Sequence, residues 1–276
     1  MKKLKYPLIV SDFDGTLLRS DERIADETIS AIKAYQNAGG KFALCTGRTL
    51  ASALPIVRGL GLTGLVACFQ GSVVADIESG ELVVDGYMER SGAVAVCRAI
   101  EEMGLHFHVY DTDEYYSNMD DAWLKHYERI VGVKAVLKED EPLSAFVDKG
   151  AIKVRKILIL LPPEERERVY NCLCAEFGEE YYVTYSAAFL VEITNRAYSK
   201  ATALEKIAQY YSVLPEDTIA VGDSLNDMPM IERAGLGIAV GNAENALKSK
   251  ANVALAYSND DDAIGEIIRC YTGLEA

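Results

Sequence analysis

Two aspartates one residue apart, Asp12 and Asp14, follow a short apolar run, Leu8-Ile9-Val10, and lead directly into Gly15-Thr16. On an extended chain, side chains two apart point to the same face, so the two carboxylates would be neighbours unless the chain has already turned. Neighbouring carboxylates persist only when one holds a proton or a cation sits with them, and both states are chemically useful. The plainer reading is an Asp-Gly turn ending a strand, with Thr16 capping the next element. Thr46-Gly47-Arg48, just ahead of Thr49, brings together a hydroxyl, a glycine amide and the free N–H groups of a helix start, a seat for an anion such as phosphate. Its plain alternative is a strand-to-helix turn with Arg48 in solvent. Lys200 falls in the first turn of an amphipathic segment behind Ser199, where the helix dipole disfavours a cation, so its placement needs a reason. Gly222-Asp223-Ser224 and Leu225-Asn226-Asp227 crowd three oxygen-bearing side chains, Asp223, Asn226 and Asp227, into one corner. A hard octahedral cation such as Mg²⁺ prefers such a set, and an Asx-rich capped turn is the competing structure. Gly241-Asn242-Ala243 makes a further polar corner.

Each corner sits just past a short apolar run. LIV, KFALCT, DTIAVGDS and LGIAV have the composition of strands buried on both faces, as in a parallel sheet, and NVALAY reads as a last strand. Between them, ADETISAIKAYQNAGG carries Ile29, Ile32 and Tyr35 at helical spacing and stops at Gly39-Gly40. TLASALPIVRGLG, SKATALEKIAQYYSV, MPMIERAG and DDAIGEIIRCYTG also read as helices. GLVACF runs into Gln70-Gly71-Ser72, and VVADIESGELVVDG reads as a hairpin turning at Ser79-Gly80. Open α/β sheets bind ligands at the C-terminal ends of their strands, where all these corners would gather. There Asp12 offers a nucleophile, Asp14 a second carboxylate, Thr46 and Gly47 an anion seat, and Lys200 a fixed positive charge. With Asp223, Asn226 and Asp227 to hold a cation, the set fits phosphoryl transfer to an aspartate.

Residues 84–196 break the α/β rhythm. GAVAVCRAIEEMG and EERERVYNCLCAEFG read as helices, and HFHVYDTDEYYS, VRKILILL, EYYVTYS and FLVEIT as strands, with a polar helix around Trp123. This is an α+β insert with its own sheet, which leaves residues 1–83 and 197–276 as a discontinuous core. All three histidines, His106, His108 and His126, lie in the insert. His106 and His108 alternate with Phe107 and Val109 and so share a strand face. That face reads as solvated, because a bare His-x-His has no third metal ligand. Tyr110, Tyr115 and Tyr116 read as packing residues.

At 276 residues the chain suits one large or two modest domains of roughly 150 residues each. Half its residues are hydrophobic and a quarter charged, the composition of a globular protein. A formal charge of −14 disfavours nucleic acid and anionic membranes as partners, so an anionic substrate must be drawn in by a local feature. The six cysteines form no CxxC pair and read as thiols of a reducing cytoplasm. The apolar run behind MKKLK is too short for a signal peptide, and none reaches the roughly 18 residues of a membrane span. The expected location is cytoplasmic, and the oligomeric state is not readable.

The pattern closely resembles the haloacid dehalogenase superfamily, specifically its Cof-type phosphatases of class IIB, with a large C2-type cap between the second and third motifs. Motif one, DxDGTL, corresponds to Asp12 through Leu17. Motif two corresponds to Thr46 in TGR, motif three to Lys200, and motif four, GDxxND, to Gly222 through Asp227. The resemblance implies a Rossmann-like parallel-sheet core with an inserted α+β cap. It also implies a Mg²⁺-dependent hydrolase of small phosphomonoesters, sugar phosphates first and nucleotides or phosphorylated cofactors next. Asp12 would attack phosphorus, and Asp14 would protonate the leaving oxygen and later activate water. Thr46 and Lys200 would hold the transferring group, with Gly15, Gly47, Arg48 and Asn242 also expected at the phosphate or substrate. Mg²⁺ would be bound by Asp12, the backbone carbonyl of Asp14 and Asp223, with Asn226 and Asp227 in support. The chain departs from the pattern at Ala201 and Ala263, where glycine is usual, and at Gln70-Gly71-Ser72, where Asn-Gly-Ala is usual. A phosphomutase on the same scaffold and a non-catalytic phosphometabolite sensor are the competing functions. Receiver domains use a similar Asp, Thr and Lys set but are about half this length.

Overall fold

The computed structural model describes residues 4–274. They form two compact units, one comprising the chain up to Arg48, Ala53–Asp85 and the chain from Tyr198, the other Thr49–Ser52 and Gly86–Ala197. In chain order the strands are β1 (Leu8–Ser11), β2 (Lys41–Cys45), β3 (Leu65–Cys68), β4 (Val73–Asp76) and β5 (Leu82–Asp85). The second unit contributes β6 (His106–Tyr110), β7 (Tyr115–Ser117), β8 (Val136–Leu137), β9 (Lys156–Leu160), β10 (Tyr181–Ala187) and β11 (Leu190–Asn195). The chain then returns to the first unit for β12 (Thr218–Gly222), β13 (Leu236–Ala239) and β14 (Val253–Ala254).

The first unit is an α/β fold on an eight-stranded sheet of order β14-β13-β12-β1-β2-β3-β4-β5. It is parallel from β14 to β3, and β4 and β5 add an antiparallel edge. The apolar runs of β1 and β12 are wholly buried because both faces of a parallel sheet are covered by crossover helices. β1 lies between β12 and β2, with Ile9 opposite both Ile219 and Phe42. All three strands run the same way, so Ser11, Cys45 and Gly222 end at one edge and the loops after them gather there. Helices Asp26–Asn37 and Ala263–Tyr271 meet through a hydrogen bond of 2.6 Å from Thr28 to Asp262, the N-cap of the latter. The last expected strand, NVALAY, contracts to the two residues of β14.

The second unit is built on a six-stranded sheet of order β10-β11-β9-β6-β7-β8, antiparallel except for β7 with β8. One face carries Phe107, Val109, Ile157, Ile159, Val191 and Ile193 and packs on helices Arg90–Glu102, Leu143–Asp148 and Arg166–Phe177. The unit departs from its sequence pattern in ways that bear on its core. HFHVYDTDEYYS is not one strand but a hairpin, β6 and β7, because Asp111 N–H bonds back to Glu114 O at 2.9 Å. Helix Leu143–Asp148 has no counterpart in the sequence pattern, its six residues being too few to show a helical period. The face shared by His106 and His108 is not solvated: both side chains are buried beneath helix Ala122–Val131, whose Leu124 and Tyr127 point inward.

Candidate active site

The sheet carries Asp12 one residue past β1, where its N–H still donates to Val221 O at 2.9 Å. The chain then turns, Leu17 and Leu18 N–H both closing on Phe13 O at 3.1 and 2.7 Å. That turn separates the paired aspartates. Asp12 is buried and Asp14 exposed, and the two make different ion pairs. Asp12 Oδ1 accepts a hydrogen bond of 2.5 Å from Lys200 Nζ. Asp14 is gripped by Arg48, whose Nη2 donates to Oδ1 at 2.6 Å and whose Nε donates to Oδ2 at 2.9 Å. The Arg48 guanidinium also lies over the Phe13 ring, 5.1 Å from its centroid, and the bond to Asp14 lifts its pKa further against the effect of burial. Thr46 Oγ1 accepts from Arg48 N–H at 3.1 Å and lies 3.5 Å from Asp14 Oδ2.

Lys200 opens helix Lys200–Tyr210 behind the Ser199 N-cap, and it is fully buried there despite the dipole. The reason is a pair of carboxylates: besides Asp12, Asp227 Oδ1 accepts from Nζ at 2.5 Å. Burial works against the ammonium, but Asp12 and Asp227 outweigh it and hold its pKa above the usual value. The other oxygen of Asp227 accepts the backbone N–H groups of Asp223 and Ser224, at 2.9 and 3.0 Å. Asp227 thus ties the lysine to the loop that carries Asp223.

Asp223 is oriented from two sides, Thr16 Oγ1 donating to Oδ1 at 2.9 Å and Ser224 Oγ to Oδ2 at 3.1 Å. A Cβ on Gly15, whose φ is +75°, would come within 2.7 Å of Asp223 Oδ2, so only glycine lets the two loops meet this closely. Asn242 fastens the same turn, donating to Gly15 O at 2.8 Å and accepting from Asn259 N–H at 2.9 Å. Asn226 Nδ2 reaches Gln70 Oε1 at 3.3 Å, and a Cβ on Gly47 would lie 2.6 Å from Gln70 Nε2. Phe69 and Gln70 both have positive φ, at 50° and 59°, an unusual conformation for side-chain-bearing residues that recurs at functional turns.

Oxygens of Asp12, Asp223 and Asp227 lie within 4.8 Å of one another, with Lys200 as the ammonium among them. The corner is short of positive charge. Burial pushes the Asp12 carboxyl well up, Lys200 pulls it back, and Asp227 pushes it up again; burial raises Asp223 in the same way. An all-oxygen set with excess negative charge is what a hard divalent cation relieves, so the residues present fit a site for such a cation.

Asp12, Thr46, Lys200, Asp223 and Asp227 therefore come together at one edge of the sheet, with Asp14 and Arg48 paired beside them. Asn226 and Asn242 reach other loops, Gln70 and Gly15 respectively. Sequence reasoning missed the Arg48 grip on Asp14 and the Thr16 bond to Asp223. The second had a signal, a hydroxyl in the turn directly after the aspartates.

Residues 9–268 match the family of haloacid dehalogenase-like hydrolases. Phosphatase YwpJ of Bacillus subtilis (strain 168) is 28% identical over 283 residues, which cover 95% of this chain and 98% of that protein. The 5-amino-6-(5-phospho-D-ribitylamino)uracil phosphatase YitU of the same organism is 27% identical over 270 residues, covering 97% of this chain and 98% of the relative. A crystal structure of a Thermotoga maritima protein shares the fold with a TM-score of 0.85 at 24% identity, covering 95% of this chain and 96% of that one.

Proposed function

The chain belongs to the haloacid dehalogenase-like hydrolase family and is a phosphatase, and on that premise we propose that it hydrolyses small phosphomonoesters through an aspartyl-phosphate on Asp12. The observation that carries this reading is the buried Asp12 carboxylate, 2.5 Å from Lys200 and close to Asp223. An oxygen of Asp12 attacks phosphorus, the ester P–O bond breaks, and the leaving oxygen takes a proton from Asp14. Water then attacks the aspartyl-phosphate as Asp14 takes back a proton, releasing inorganic phosphate and restoring Asp12. Arg48 aims Asp14, Thr46 and the Gly47 amide seat the phosphoryl oxygens, and Lys200 offsets their charge. Asp12, Asp223 and the carbonyl of Asp14 would hold Mg²⁺, with Asn226 and Asp227 in support. The ion, when bound, supplies positive charge that makes room for an anionic substrate among carboxylates.

Sugar and polyol phosphates are the first substrate class, and the relative named for a phosphorylated ribityl compound supports it. Nucleotides and phosphorylated cofactors come next. The test is turnover of p-nitrophenyl phosphate with Mg²⁺, with EDTA, and by the Asp12→Ala variant, together with a screen of phosphorylated metabolites. Activity that survives both chelation and the substitution overturns the proposal.

A further inference from the structure

The second unit buries a polar cluster that phosphoryl transfer does not use. His106 Nδ1 lies 3.0 Å from an Asp121 oxygen, while His106 Nε2 lies 3.1 Å from His108 Nε2 and 3.0 Å from Ser117 Oγ. Asp121 is also the N-cap of helix Ala122–Val131, accepting Leu124 N–H at 3.0 Å. The same helix sends Tyr127 inward, where its hydroxyl accepts from Tyr110 at 2.6 Å and its ring lies 5.1 Å from that of His108. Tyr115 of β7 packs on His108 at 5.0 Å, and Lys156 of β9, paired with Glu192 of β11 at 3.3 Å, lies 4.9 Å from the Tyr110 ring centroid. Asp121, Tyr127, Tyr110, Tyr115, Lys156 and Glu192 are thus the titratable groups around the two imidazoles.

The proton count of the pair makes it sensitive to acid. Two imidazoles have four ring nitrogens. His106 Nδ1 carries a hydrogen for Asp121, and one hydrogen must lie between the two Nε2 atoms, since facing lone pairs would repel. Of the two nitrogens left without a hydrogen in the neutral pair, His106 Nε2 accepts from His108, and His108 Nδ1 is buried with no hydrogen-bond partner among the described residues. A proton added there would create a cation with an unmet N–H inside the unit, near Lys156. Burial accordingly holds His108 well below the usual histidine range, with His106 and Lys156 adding to the effect, and it lowers His106 against the pull of Asp121.

We propose that His106 and His108 form an acid-released latch, which holds helix Ala122–Val131 on the second sheet while the imidazoles are neutral and frees it when they take up protons. Protons enter by opening the helix rather than by titrating the pair in place, because the closed state offers them no partner. Asp121 couples the two events, since one carboxylate caps the helix and holds the His106 tautomer.

The full-length protein tests this by hydrogen exchange of amides 124–131 and by fluorescence of its single tryptophan, Trp123, which stacks on Phe189 at 6.0 Å. Amide protection, corrected for the intrinsic pH dependence of exchange, is expected to fall by up to about tenfold per pH unit and per proton taken up below about pH 6.5. Trp123 emission should change over the same interval, reversibly, while the far-UV signal is kept. His108→Phe, which cannot take the proton, should remove the transition or move it down by more than about one pH unit. If that variant fails to fold, side-chain NMR of the two imidazoles in the wild type still decides. Smooth titration of His106 and His108 with the helix still protected at pH 5 overturns the latch. So does opening of His108→Phe at the wild-type pH.

Discussion

Lys200 in the first unit is shared by two carboxylates, Asp12 and Asp227, at 2.5 Å each, whereas Lys156 in the second meets Glu192 at 3.3 Å. Both ammonium groups are buried, yet their surroundings differ in charge balance. The first site gathers three carboxylates at the ends of strands, where loops can exchange ligands. The second lies on a face of the second sheet, Lys156 opening β9 and Glu192 standing opposite Leu158 on β11, with tyrosine and histidine rings around it. An unbalanced buried cluster beneath loops is built to receive charge, while a balanced one on a sheet face covered by a helix holds an element in place and resists charge.

The strongest way to break that comparison is Asp12→Ala. It should lower phosphatase turnover by about 10⁴-fold or more, because the proposed covalent route is lost, while the melting temperature stays or rises as buried repulsion is relieved. Phosphate release and calorimetry on one sample check both halves. Lys200→Met and Lys156→Met sharpen it further. Each removes one partner of a buried ion pair, a change that costs about 3–5 kcal/mol. Millimolar Mg²⁺ should recover stability in Lys200→Met, where a cation can take up the carboxylate charge, and none in Lys156→Met. Equal recovery in both would erase the distinction between the sites.

Thr16→Val leaves the carboxylates in place and removes the hydroxyl that aims Asp223. It should weaken metal affinity about 10–100-fold, read as a rise in the Mg²⁺ concentration for half-maximal activity. The most gradual effect belongs to pH. His106 and His108 are depressed in the folded protein, so below about pH 6.5 the unfolded chain binds more protons and stability falls as pH falls. The slope is at most about 1.4 kcal/mol per pH unit for each histidine. Denaturant midpoints between pH 7.5 and 5 measure it, and His108→Phe should flatten the curve.

Legibility in the sequence differed between the same two regions. The core site was readable because its side chains come in short clusters after apolar runs: DFDGT, TGR and GDSLND each place their polar groups within a single turn. The second unit's cluster assembles His106, Ser117, Asp121, Lys156 and Glu192 from separate elements, and no window of sequence contains it. His-x-His on an alternating strand reads as solvated because alternation tells which residues share a face and nothing about what covers that face. The covering helix, Ala122–Val131, was itself legible around Trp123, but its docking was not.

Within the first unit, the order of strands and loops came from local pattern: apolar runs too short for helices, glycine stops, and polar residues just beyond. Partner choice did not. That Asp14 turns to Arg48 while Asp12 meets Lys200, 188 positions away, depends on where the chain bends after Ser11 and on which helix start lies beneath it. A sequence sets the period and chemistry of each segment because those act over a few residues. Which charges come within about 3 Å is a property of packed surfaces from distant segments, and folding alone decides it.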